Sequence, residues 1–184
     1  MPASFVISIV SDDHPGIIAG LSKVIVELEG NIRACSQTVL KGYFTVILIT
    51  DFDNQMDQGT LSARISGDLP DLHAVVQPYL LQKEMDGATD RFVLTAFGQD
   101  KAGIIYRISE YMAGKSINIT DFYWDQRGDQ FTLTAQVDVP DDCRVGLLQA
   151  DLDEIGAELG FAVKFQHENI FLATNQLRLP KGRN

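Results

Sequence analysis

The 184-residue chain is poor in positive charge, cysteine and histidine, and it has no long apolar run. Fifteen Lys and Arg stand against 25 Asp and Glu, a net charge of −10 that repels a phosphate backbone and excludes direct nucleic-acid binding as an expectation. Arg178, Lys181 and Arg183 make a small basic cluster, read as a solvated terminus. Cys35 and Cys143 form no CxxC pair, and unmatched cysteines fit a reducing compartment, so a cytoplasmic location is expected. His14, His73 and His167 occur in unlike contexts without HxH or HxxxH spacing, so neither a metal nor another cofactor is expected. No stretch approaches the ~18 apolar residues of a membrane helix, and the first five residues lack the basic start of a signal peptide. No membrane contact is expected. Walker, GxGxxG and GxSxG patterns are missing too, and Asp141-Asp142 with Asp151, Asp153 and Glu154 read as solvated helix faces and caps. The chain is therefore expected not to be an enzyme.

What is present is a repeat. Asp13-His14-Pro15-Gly16-Ile17-Ile18 returns as Asp100-Lys101-Ala102-Gly103-Ile104-Ile105, displaced by 87 positions (100 − 13). The same displacement carries Phe5 to Phe92, Asn31-Ile32 to Asn118-Ile119, Phe44-Thr45 to Phe131-Thr132 and Asp51 to Asp138. An ungapped offset of this reach marks a duplicated module. Two domains follow, 1–84 and 85–184, each of a size that folds alone with a modest core. Lys83 to Asp90, polar and without apolar period, is the expected linker.

Within the first repeat, Phe5 to Val10 predicts a buried strand. Asp13 stands where a helix cap is wanted, with Pro15 just inside the first turn. Ile17, Ile18, Leu21, Val24, Ile25 and Leu28 form one apolar stripe at helical spacing. Gly30-Asn31 is expected to end that helix. A bulged strand from Ile32 to Leu40, a Lys41-Gly42 turn and a strand from Tyr43 to Ile49 make a hairpin. Leu61, Ile65 and Leu69 predict a second helix, and residues 74–81 a fourth strand, with Pro78 arguing for an edge or bulge. The second repeat follows the same order. Ile170 to Leu179 has no counterpart and is expected to form an extra strand or docking tail. Two βαββαβ units predict an α+β protein, with two ferredoxin-like antiparallel sheets in tandem and helices on one face of each. The other face needs cover from the sister repeat or a second subunit, so a homodimer is expected.

The Asp-x-x-Gly turn has two readings. One is a helix cap with a glycine for close packing. The other is a ligand site, where a glycine exposes backbone N–H groups to a carboxylate and the Asp meets an ammonium. Asn31 and Asn118 are either helix ends or amides that reach a ligand at the neighbouring turn. Lys41 to Val46 partly matches an RNA-recognition signature, but Phe44 stands where a small residue belongs and the first strand lacks a stacking aromatic.

These residues resemble an ACT domain, whose first strand ends in Asp-x-x-Gly-Ile, whose first helix is followed by Asn-Ile, and whose third strand begins near Phe-Thr. Both repeats carry the pattern, at Asp13, Gly16, Ile17, Asn31, Ile32 and Phe44, and at Asp100, Gly103, Ile104, Asn118, Ile119 and Phe131. Two such units at this length resemble the glycine cleavage system transcriptional repressor family. That resemblance implies a non-enzymatic regulator that binds a small ligand, an amino acid such as glycine, at the first strand–helix loop. It implies action through a protein partner, a DNA-binding activator, rather than on DNA. Binding falls first to Asp13, His14, Pro15, Gly16 and Ile17, since Lys101-Ala102 replace His14-Pro15 in the second repeat. The competing readings are a ligand-independent interaction module and a relative of formyltetrahydrofolate deformylase without its catalytic domain.

Overall fold

The computed structural model describes residues 3–53, 55–80 and 89–175. The chain divides into two compact units, Met1–Lys83 and Glu84–Asn184. In the first, β1 (Ala3–Asp12), α1 (Ile17–Glu27), β2 (Gly30–Leu40), β3 (Tyr43–Phe52), α2 (Gln58–Asp68) and β4 (His73–Pro78) follow one another. In the second the order is β5 (Thr89–Gln99), α3 (Ile104–Gly114), β6 (Asn118–Arg127), β7 (Gln130–Pro140), α4 (Val145–Leu159) and β8 (Phe161–His167), then α5 (Glu168–Asn175). The sheets have strand orders β2-β3-β1-β4 and β6-β7-β5-β8, with every pairing antiparallel. Both are ferredoxin-like, as the element order requires.

Alternation puts Phe5, Ile7 and Ile9 of β1 and Phe44, Val46 and Leu48 of β3 on one buried face. Leu21, Val24 and Ile25 of α1 and Leu61 and Ile65 of α2 close over them. The second core repeats this with Phe92, Leu94 and Ala96 beneath Ile104, Ile108, Met112, Leu148 and Leu152. Burying each such aliphatic side chain contributes about 1.5–3 kcal/mol. On the opposite face of the first sheet, Val10, Ile47 and Val75 stay exposed.

The duplication extends to irregular features. Each second strand carries a bulge at the same repeat position, between Ile32 and Ala34 and between Ile119 and Asp121. The non-glycine residues Glu29 and Ser116, also 87 apart, both have positive φ, 58° and 56°. Asp51 and Asp138 each take an arginine, but from opposite sides. Arg33 of β2 reaches Asp51 at 3.6 Å, whereas Arg91 of β5 reaches Asp138 at 3.5 Å.

Several local expectations need correction. Asp13 and Asp100 cap no helix: the N-caps are Gly16 and Gly103, with φ of 101° and 95° and no side-chain cap bond. His14-Pro15 and Lys101-Ala102 therefore precede their helices, and Pro15 is not within the first turn. Gly30-Asn31 does not end α1. Leu28 is its C-cap, and Gly30 opens β2 under the ring of Phe52, where a Cβ would come within 2.3 Å of Cε1. Asn31 and Asn118 are strand residues, opposite Asp51 and Asp138. The segment expected as an extra strand or a docking tail is, as far as Asn175, part of helix α5, which packs on β5 and β8, so the strand alternative falls there. Residues 176–184 and most of the expected linker lie outside the described residues; its last two, Thr89-Asp90, open β5.

Candidate functional site

Each strand–helix turn is fixed by one long-range backbone bond. The Asp13 N–H donates to the Gly42 carbonyl at 2.9 Å, and the Asp100 N–H to the Asp129 carbonyl at 2.8 Å. The turn is thus pinned to the tip of the β2–β3 or β6–β7 hairpin before the chain enters its helix. A left-handed glycine then redirects the backbone, a conformation that costs other L-residues about 1–2 kcal/mol. Neither cap supplies a side-chain acceptor; in α3 the Ile104 N–H donates to the Lys101 carbonyl at 3.5 Å, and the remaining first-turn N–H groups face water or a ligand at the positive helix end.

The candidate residues fall into three groups. Asp13, His14, Pro15 and Gly16 are exposed at the first turn, and Lys101, Ala102 and Gly103 with half-buried Asp100 form the second. Ile17 and Ile104 are core residues, and Ile32 and Ile119 pack against the cores. Asn31 and Asn118 are not brought to their own turns. Sheet register places Asn31 beside Asp51, which pairs with Ser4, whereas the turn follows Asp12 at the other end of β1. Eight strand residues, ~26 Å, separate the two.

The turns open on different spaces. Beside the first lies a cavity of about 120 Å³ formed by His14, Gly16, Ile17 and residues 68–72. Beside the second lies one of about 600 Å³, bounded by residues 100–106, Ser109 and Trp124. Trp124 belongs to β6 and stands where the first repeat has Gln37 (124 − 87). The indole stacks on Phe131 with centroids 4.3 Å apart and planes 5° apart. Tyr106 donates a hydrogen bond to Glu110, which raises its phenol pKa. Lys101 extends to the C-terminal end of α4, where a Cβ on Gly160 would lie 3.1 Å from Nζ. That end of a helix favours a cation. Trp124, Tyr106 and Ser109 were not among the sequence candidates. The available signal was the chain's one tryptophan, placed on the strand beside the repeat motif.

At Ser11, the end of β1, a buried hydroxyl lacks a hydrogen-bond partner; it is the one such side-chain atom among the described residues. Its repeat counterpart is Gly98, against which Phe161 packs. Among the described residues no group of three His, Cys, Asp or Glu could hold a metal, and no helix is long and apolar enough to cross a membrane.

Two βαββαβ units, each with a left-handed glycine at a strand–helix turn, define a tandem of small ferredoxin-like modules. Residues 90–166 match the ACT domain family. The chain is 33% identical over 84 residues to a UPF0237 protein of Methanosarcina acetivorans, covering 45% of this chain and 91% of the relative. It is 35% identical over 88 residues to a UPF0237 protein of Methanopyrus kandleri, covering 47% and 98%. The chain belongs to the ACT-domain family of regulatory modules, with UPF0237 proteins among its relatives. Each of these relatives corresponds to about half of it. The whole tandem is similar to the crystal structure of an unknown protein from Galdieria sulphuraria, with TM-score 0.74, 20% identity and coverage of 91% and 99%. It is also similar to a protein assigned as a glycine cleavage system transcriptional repressor, with TM-score 0.63, 17% identity and the same coverage. At these identities the two structures show a shared fold.

Proposed function

We propose that this protein is a non-enzymatic regulator that binds an amino acid at its strand–helix turns and acts on a protein partner. The carrying observation is the cavity of about 600 Å³ that opens on Asp100, Lys101, Ala102 and Gly103. A ligand carboxylate there meets the positive N-terminal end of α3, beyond the Ile104 N–H that donates to the Lys101 carbonyl at 3.5 Å, and its ammonium meets the Asp100 carboxylate. The cavity moves the first choice of site from the first repeat to the second. Asn118 and Ile119 lie outside that cavity, and Asn31 and Ile32 outside the one at the first turn.

Control of glycine cleavage genes through a DNA-binding activator is supported by the resemblance of both repeats and by the name of one structural neighbour. A net charge of −10 favours a protein partner over DNA. Calorimetric titration with glycine, serine, leucine and phenylalanine is the test. Saturable heat with one of them, weakened in Asp100→Ala, supports the sensor. No heat with any of them leaves a ligand-independent interaction module, the second reading, which the exposed Val10, Ile47 and Val75 favour. Those residues also support a homodimer, checked by sedimentation equilibrium at micromolar concentration.

A further inference from the structure

We propose that the cavity in the second unit selects an amino acid with a large apolar or aromatic side chain, seated on Trp124, and discriminates against glycine. This rests on the reading that the turn binds an amino acid, and it specifies the ligand class.

The first ground is how the indole is held. Trp124 is stacked on Phe131, and Phe131 in turn meets the Phe161 ring at 5.8 Å and 75°. This three-ring arrangement anchors a half-buried tryptophan to the core. One indole face is committed to Phe131, and the ring borders the cavity with what remains. Ile105 and Tyr106, both substantially exposed, complete an apolar wall. Wet apolar and aromatic surface of this kind gains from burial only if the ligand has a side chain to cover it.

The second ground is the division of polarity. The charged groups bordering the cavity, Asp100 and Lys101, are both in the turn, and the Lys101 ammonium is drawn to the end of α4 beside Gly160. A zwitterion held at that polar end directs its side chain toward the indole. The space of about 600 Å³ is a cleft open to solvent, and glycine would leave most of it filled with water. The third ground is the contrast between repeats: Gln37 replaces Trp124 in the first and borders a different space, and the cavity of about 120 Å³ beside that turn is bounded by residues 68–72 with no Phe, Tyr or Trp ring. Selection by side chain is thus a property of the second unit.

Trp124 is the only tryptophan in the chain, so its emission reports the cavity directly. The full chain is titrated with L-leucine, L-phenylalanine and glycine, by fluorescence and calorimetry in parallel. Leucine or phenylalanine is expected to shift the emission saturably and to bind at least about tenfold more tightly than glycine. Trp124→Ala should remove about tenfold of that preference. Because that variant loses the stack on Phe131, the exposed Tyr106→Ala is the second test and should weaken leucine and phenylalanine more than glycine. Glycine binding as tightly as leucine would overturn the ligand class while sparing the amino-acid reading. So would leucine binding that neither variant changes. No heat and no emission change with any of the three would overturn the ligand class, and silence with serine as well would overturn the amino-acid reading.

Discussion

Glycines in this protein lack a side chain for two different reasons, and the reasons predict different costs. Gly16 and Gly103 have positive φ with open space where a Cβ would stand. Alanine at either meets backbone strain alone, about 1–2 kcal/mol. Gly98 lies outside the left-handed region, but a Cβ there would come 2.6 Å from Phe161 Cβ and 2.8 Å from the Gly160 carbonyl oxygen. Relief requires β5 and β8 to part, which costs about 1–3 kcal/mol or more. Urea unfolding should therefore rank Gly98→Ala as the most destabilised of the three; equal losses would mean that β8 yields easily. Ser11→Ala should be neutral or stabilising by up to about 1 kcal/mol, because its buried hydroxyl is unpartnered. A marked loss in the same unfolding experiment would show that the hydroxyl has a partner in solution. Asp57 caps α2 by accepting from the Thr60 N–H at 3.0 Å and from its hydroxyl. The Thr60 hydroxyl, ahead of the backbone bonds, lowers the carboxyl below its ordinary value of 3.8. A folded pKa lower than the unfolded one adds stability above the unfolded value, lost as pH falls through the folded one. The stability gap between the parent and Asp57→Ala should thus be full at neutral pH and shrink in strong acid. A gap independent of pH would mean that the charge does not contribute.

Element-scale features were legible where they depend on local pattern and were missed where they depend on distant partners. Alternation in Phe5, Ile7 and Ile9 and the helical stripe through Ile17, Leu21 and Val24 were readable because burial follows side-chain period. The turn was misread as an Asp cap because Asp13 has the right chemistry for one. What places it is the Gly42 carbonyl, supplied by a hairpin that sequence proximity does not reveal. Asn31 was misplaced for a different reason. A helix joining parallel strands returns the chain to the end where the first strand began, so a residue following α1 lies far from the turn preceding it. The cavity beside Trp124 was illegible, since it depends on β6 lying next to the N-terminus of α3. The α5 segment shows the limit of counting apolar residues: Ile170 and Thr174 are one helical turn apart, and the Thr174 hydroxyl donates to the Ile170 carbonyl at 2.9 Å. Between α3 and α4, the Tyr111 hydroxyl donates to Asp151 at 2.9 Å, and Lys115 reaches the same carboxylate at 3.4 Å. Burial first and the Asp151 bond second push the Tyr111 pKa upward. Tyr111→Phe should lower stability by about 1 kcal/mol without altering far-UV circular dichroism. No loss would mean that Lys115 alone satisfies Asp151.

At the scale of the molecule, duplication produced two cores that share no residue. Each unit has a core of its own, and units of this size bury only a modest apolar area. A single core truncation should then act within one unit. Leu61 and Leu94 are both fully buried, at 0% exposure, one in each core. Alanine at either removes transfer energy and leaves a cavity, at a cost of about 2–5 kcal/mol. In Leu61→Ala, amide hydrogen exchange should accelerate through β1, α1, β3 and α2, while protection in β5, α3, β7 and α4 stays at the parent level. Leu94→Ala should give the reverse pattern. The two variants together test whether the tandem is two folding units or one. If either truncation lowers protection in both units, the duplicated modules unfold as a single cooperative body. Ligand binding in the second unit would then stabilise the first as well. If protection falls in one unit only, a regulatory signal from the second turn must reach the partner through that unit's own surface.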